Sequence, residues 1–278
     1  MDMLEKVRKT PMDIFTDKIV TESFSMDYFR FGTGERAFVI LPGLSIQSVL
    51  LSKEAVAQGY ASLAEDYTIY VFDRRDELPD PYTVEDMAED TAEAMKDLGL
   101  KDTFLFGASQ GGMMAQVIAI RHPELVSKLV LGSTSSHVLD SQYEVLDRWV
   151  RLAKQKDREQ LYLDFGEKIY PPAVFEQFRQ AIIDAAATVT DRDLMRFRIL
   201  AEGTRDFNIT SRLHEIRCPV LAMGVFEDAV LDADATMEIA EQLDERPDFR
   251  LYMYIGYGHA AFDTAPDYRK RILDFLES

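Results

Sequence analysis

The chain has 278 residues, 47% of them apolar, which is enough to bury a sizeable core in one large domain or one domain with an insertion. Its 31 basic and 49 acidic side chains leave a formal net charge of −18, a balance that repels polyanions and sets nucleic acid and anionic membrane aside as partners. The first fifteen residues, MDMLEKVRKTPMDIF, lack the apolar segment of a secretory signal, and no apolar run approaches a membrane span, so a cytoplasmic protein without membrane insertion is expected.

Short apolar or β-branched runs then alternate with helical patterns. RAFVILPG (36–43) reads as a buried strand, KEAVAQGYASLAED (53–66) as a helix and YTIYVFD (67–73) as the next strand. In TVEDMAEDTAEAMKDLG (83–99), Val84, Met87, Ala88, Thr91, Met95 and Leu98 share one helical face with acids opposite, and Gly99 is the natural stop. KDTFLFG (101–107) is a strand, SQGGMMAQVIAIRHPE (109–124) a helix and VSKLVLGS (126–133) a strand. The alternation stops near residue 138. From 139 to 212 the pattern is helical and rich in aromatics, including Tyr143, Trp149, Tyr162, Phe165, Tyr170, Phe175, Phe178 and Phe197, and is broken once at Pro171 and Pro172. It resumes with strand CPVLAMG (218–224), helix DATMEIAEQLDE (234–245), strand FRLYMYIG (249–256) and helix DYRKRILDFLE (267–277). The plan is an α/β core domain, 1–138 plus 213–278, with a mostly parallel twisted sheet covered by helices on both faces and a helical cap inserted at 139–212. The single cysteine, Cys218, cannot close an intramolecular disulfide; it precedes Pro219 and an apolar run and reads as a small buried residue.

One junction carries chemistry. Gly107-Ala108-Ser109-Gln110-Gly111 is a G-x-S-x-G pattern where a strand turns sharply into a helix. Neighbours without side chains let the turn close and lift the serine hydroxyl above the carboxyl ends of the strands, where the N-terminal amides of the next helix converge. The four histidines, His122, His137, His214 and His259, show no pair at short metal-ligand spacing, and no glycine-rich phosphate loop is present, so neither metal nor cofactor is expected.

With these residues the chain resembles the α/β-hydrolase superfamily over essentially its whole length. In that family the order is nucleophile, acid, histidine. The resemblance implies Ser109 as nucleophile, Asp228 as acid with Glu227 as competitor in VFEDAVLD, and His259 as base in YGHAAFDTAPDYR. It implies an oxyanion hole from the backbone N–H groups of Gln110 and of Leu44 in Pro42-Gly43-Leu44. Two departures stand out: Pro42-Gly43 replaces the usual His-Gly, and DRRDELPD (73–80) lacks the glycine many members carry after Asp-x-Arg. His122 and His214 read as structural. Phe226, Tyr257 and Trp149 are candidate contacts to a small-molecule substrate, and the cap aromatics either line a pocket or form the cap's own core. The implied activity is hydrolysis of a small or medium, largely apolar carboxylic ester. The competing readings are aminopeptidase or amidase, lactonase, C–C bond hydrolase or cofactor-free haloperoxidase activity on the same scaffold, and a non-catalytic small-molecule binding protein. A haloalkane dehalogenase would carry aspartate where this chain has Ser109.

Overall fold

The computed structural model describes residues 12–278; most of the N-terminal stretch read above for a targeting signal, and the first eleven residues of the expected core domain, lie outside them. Among the described residues eight strands form one sheet: β1 (Phe15–Val20), β2 (Ser25–Phe31), β3 (Arg36–Leu41), β4 (Tyr67–Arg75), β5 (Thr103–Ala108), β6 (Val126–Gly132), β7 (Val220–Val225) and β8 (Phe249–Tyr254). Their order is β1-β2-β4-β3-β5-β6-β7-β8, with β1 and β2 antiparallel and every neighbour from β4 to β8 parallel. The β1–β2 hairpin had no counterpart in the sequence reading.

The helices are α1 (Lys53–Gly59), α2 (Val84–Asp97), α3 (Gln110–Arg121), α4 (Asp140–Gln155), α5 (Arg158–Ile169), α6 (Pro172–Ala186), α7 (Asp191–Glu202), α8 (Asp232–Leu243), α9 (Ala261–Thr264) and α10 (Tyr268–Leu276). The helix expected over 53–66 is instead α1 followed by a short 3-10 turn at Ala61–Leu63. The α2 ends follow from sequence. Thr83 and Asp86 form a reciprocal capping box, and Gly99 at φ 69 lets Leu100 N–H reach back to Met95 O (2.9 Å).

The inner parallel strands β3 to β7 are largely buried on both faces and feed two cores, whereas the edge strand β8 is mostly exposed or half-buried. Val39, Leu41 and Leu105 face one core with α2, α3 and α8; Phe38, Ile40, Phe104 and Phe106 face the other with α1 and α10. Helices α4–α7 lie between β6 and β7, with Pro171 just before α6 and Pro172 as its first residue. The chain enters and leaves this insertion side by side: His137 bridges Asn208, Val138 N–H donates to Phe207 O (3.2 Å) and Ile209 N–H to Ser136 O (2.8 Å). Trp149, Phe165 and Phe197 pack together inside it, the first two with ring centroids 4.6 Å apart. No helix among the described residues is long and apolar enough to cross a membrane.

After β3 the chain moves outward to β4, then crosses back to β5 on the other side. That reversal opens a crevice beyond the carboxyl ends of β3 and β5, the usual ligand position in an open α/β sheet. Both loops of interest, 42–44 and the turn at Ser109, leave the sheet there.

Candidate active site

Ser109 stands between β5 and α3 at φ 52, ψ −124, a conformation that costs an L-residue about 1–3 kcal/mol. Its backbone is pinned on both sides. The N–H donates to Gly132 O (2.9 Å), and the carbonyl accepts from Gly112 N–H (2.8 Å) and from Thr134 Oγ1 (2.7 Å). The two glycines are required by contact. A Cβ on Gly107 would lie 2.3 Å from Gly111 O, and one on Gly111 would lie 2.0 Å from Leu41 O. The glycines therefore let α3 close down on β3 and β5 and carry the serine to the crevice.

His259 and Asp228 are both buried, and His259 Nδ1 lies 2.8 Å from Asp228 Oδ2. The other carboxylate oxygen, Oδ1, accepts from Val230 N–H (2.8 Å) and Leu231 N–H (3.0 Å). Of the two acids on this loop, Glu227 is exposed and accepts from Gly256 N–H, so Asp228 is the one at the imidazole. Among the described residues the Ser109 hydroxyl donates no hydrogen bond; it and His259 open onto one cavity of about 590 Å³.

Leu44 and Gln110, the two residues whose N–H groups are the candidate oxyanion donors, line one recess together with Ser109. A Cβ built on Gly43 would be 3.0 Å from Ser109 Cβ, so the 42–44 loop rides directly against the serine. Gln110 is the first residue of α3, and its N–H has no intrahelical acceptor to reach. Among the described residues neither N–H is consumed by an intramolecular hydrogen bond.

Sequence reasoning missed the side chain beneath this loop. Arg74, at the end of β4, is buried and donates through Nη2 to Pro42 O (2.9 Å) and to Gln110 Oε1 (3.1 Å). Burial pulls its guanidinium down to about 10, with neighbouring Asp73 opposing, so it remains cationic at neutral pH. It ties together the two loops that carry the candidate oxyanion donors, the role left open by the absent histidine before Gly43. Gln110 also donates through Nε2 to Leu200 O (2.9 Å) and Thr204 Oγ1 (2.7 Å), linking the elbow to the end of α7. The sequence signal was present in DRR (73–75), an arginine inside a run otherwise read as a strand end and polar loop.

The cavity wall divides the remaining candidates. Trp149 lines it and is locked by donation from Nε1 to Asp164 Oδ2 (3.0 Å). Tyr162, Phe165 and Tyr170 of the insertion line it too, so these aromatics serve both as pocket wall and as packing. Phe226 and Tyr257 are corrections. Phe226 lies beyond the end of β7 with its side chain 54% exposed, and Tyr257 packs edge-on against Tyr254 at 5.6 Å; neither belongs to the cavity wall. His122 lies 2.8 Å from Glu89, His137 lies 2.6 Å from Glu238 away from the cavity, and His214 is exposed. Burial pushes the Cys218 thiol up to about 11, which leaves it protonated and a poor nucleophile. Among the described residues no group of three or more His, Cys, Asp or Glu side chains could hold a metal ion.

Residues 37–266 match the family model described as alpha/beta hydrolase fold. The chain is 27% identical over 254 residues to a Caulobacter sp. (strain K31) protein named "Putative carbamate hydrolase RutD", covering 84% of this chain and 92% of that one. Among solved structures, an alpha/beta hydrolase, MGS-M2, from a Medee basin deep-sea metagenome library superposes with a TM-score of 0.83 at 18% identity, covering 94% of this chain and 98% of that one. The enol-lactonase of Burkholderia xenovorans LB400 gives 0.81 at 16% identity, covering 94% and 100%.

Proposed function

The chain belongs to the α/β-hydrolase fold family, and from that premise we propose that it is a serine hydrolase cleaving a small or medium, largely apolar carboxylic ester through Ser109, His259 and Asp228. The observation that carries this reading is the buried His259–Asp228 pair whose His259 opens onto the same cavity as a serine held at positive φ. His259 Nε2 takes the proton as Ser109 Oγ attacks the ester carbonyl, and Asp228 keeps the other ring nitrogen protonated and stabilises the imidazolium. The N–H groups of Leu44 and Gln110 receive the negative charge of the tetrahedral intermediate. His259 returns the proton to the departing alkoxide, leaving an acyl-serine. A water then repeats the sequence, with His259 as its base, and releases the acid. The helical insertion α4–α7 acts as a cap over the site, since its residues wall the cavity. No metal or cofactor enters these steps, and the partner is a small molecule.

Hydrolysis of p-nitrophenyl esters, measured beside Ser109→Ala, tests the reading. The expected result is turnover by the wild type and a loss of about 10⁴-fold or more in kcat for the variant. Stoichiometric labelling of Ser109 by a fluorophosphonate is expected as well, and its absence together with no turnover would favour a binding protein.

A carbamate is the second reading, supported by the name of the Caulobacter relative. The same attack on a carbamate carbonyl uses the same groups, and ammonia release from simple carbamates separates it from ester cleavage.

A further inference from the structure

Two spaces of very different size meet at Ser109. One is the cavity of about 590 Å³; the other is a recess of about 30 Å³, room for roughly two water molecules. Ser109, Leu44, Trp149 and Val230 belong to both walls. The two groups that act on opposite sides of a tetrahedral carbon do not. His259 borders only the large cavity, and Gln110 only the recess.

This inequality fixes how an ester must lie, given the ester-hydrolase reading on which the inference rests. The imidazole that deprotonates Ser109 must also reach the departing oxygen, so the alcohol part lies on the His259 side, in the large cavity. With Oγ bonded to the carbonyl carbon and the oxyanion held by the N–H groups of Leu44 and Gln110, the remaining substituent of that carbon points into the recess. We propose that the recess is an acyl subsite that accepts only short groups, with about two heavy atoms beyond the carbonyl carbon, whereas the leaving alcohol is free to be large.

The recess wall cannot yield cheaply. Met113, Leu146, Trp149 and Leu231 are all buried, and Trp149 is anchored to Asp164, so a longer chain must displace packed side chains. The polar wall residues are already engaged: Gln110 with Thr204, and Gln142 with Leu139 N–H (2.7 Å) and Ser135 Oγ (3.3 Å). The recess thus presents mainly apolar surface, suited to a methyl or ethyl group.

Two substrate series test this on the full chain. Along p-nitrophenyl acetate, propionate, butyrate and hexanoate, kcat/KM is expected to fall about ten-fold or more from propionate to hexanoate. Along ethyl, butyl and hexyl acetate, followed by acid release, it is expected to hold or rise. Leu146→Ala, which removes part of the recess wall, is expected to raise the hexanoate-to-acetate ratio about ten-fold; Leu231→Ala is the second variant if the first melts early. Hexanoate outpacing acetate in the wild type, acetate esters losing rate as the alcohol lengthens, or folded variants with an unmoved ratio would each overturn the inference. An inverted profile with Ser109-dependent turnover removes the subsite assignment alone. No Ser109-dependent ester turnover at all removes the ester-hydrolase reading, and the subsite with it.

Discussion

Asp228 is set in place by the backbone before any substrate arrives. One oxygen is fixed by two amide N–H groups and the other faces the imidazole, so the carboxylate has little freedom to turn. Asp228→Asn keeps the oxygen that Val230 and Leu231 hold but turns a donor toward Nδ1, which forces the ring into the wrong tautomer. The expected result is a loss of about 10⁴-fold in kcat with little change in Tm, whereas Glu227→Gln stays near wild type. Equal losses in the two variants would mean that the acid has been misassigned. At this scale the sequence was most readable where backbone geometry restricts residue choice. Ser109 announced itself through Gly107 and Gly111, because no other residue fits against Gly111 O and Leu41 O. Asp228 and His259 were readable from their positions just past late strands. Arg74 was not, because its role depends on two carbonyls distant in sequence, Pro42 O and Gln110 Oε1. Phe226 and Tyr257 failed for the opposite reason: they neighbour Asp228 and His259 along the chain, but their side chains leave the strand ends in other directions.

Among the elements, the inner parallel strands were readable because burial on both faces leaves uninterrupted apolar runs such as FVIL and TFLF. The hairpin escaped because β1 buries only Ile19 and so has no apolar pattern to detect. Its β2 strand is anchored by the buried Met26, Tyr28, Phe29 and Phe31, and a polar cluster at Asp76 ties β1 to it. Asp76, just past β4, accepts from Lys18 Nζ on β1 and Ser25 Oγ on β2, and its own N–H donates to Ser25 O (2.8 Å). Partial burial opposes ionisation of this carboxyl, but the hydrogen bonds from Lys18 and Ser25 outweigh it and hold the group below its ordinary value of 3.8. A depressed value means that the folded state favours the ionised form. The stabilisation is therefore complete above the unfolded value and disappears as pH falls through the folded one. Asp76→Asn is expected to cost about 1–2 kcal/mol and about 3 °C in Tm at pH 7. Wild type and variant should converge below pH 3.8 for as long as both remain folded. Faster amide exchange should be confined to β1 and β2; a uniform loss of protection across the sheet would show that the residue serves the whole fold.

On the scale of the whole molecule, alternation of strand and helix was enough to specify the α/β plan and to expose the insertion as the place where alternation fails. The division of the site into a large cavity and a recess was beyond sequence, since each wall combines residues from the sheet loops and the insertion, and the recess adds Gln110 and Met113 of α3. Net charge acts at this same scale. The described ion pairs are largely exposed, as with Lys156–Asp191, Arg192–Glu77 and Lys270–Asp274, and exposed pairs of this kind contribute little to stability. Against them stands mutual repulsion within a molecule of net charge −18, which acts over distances that salt screens beyond about 10 Å at 0.1 M. Salt weakens both, but the exposed pairs have little to lose while the repulsion is summed over the entire surface. Raising NaCl from 10 to 300 mM at pH 7 is therefore expected to raise Tm by about 2–5 °C, measured by thermal melting. A fall in Tm over the same range would mean that the ion pairs outweigh the excess of acid, and that the negative surface is carried at no cost to the fold.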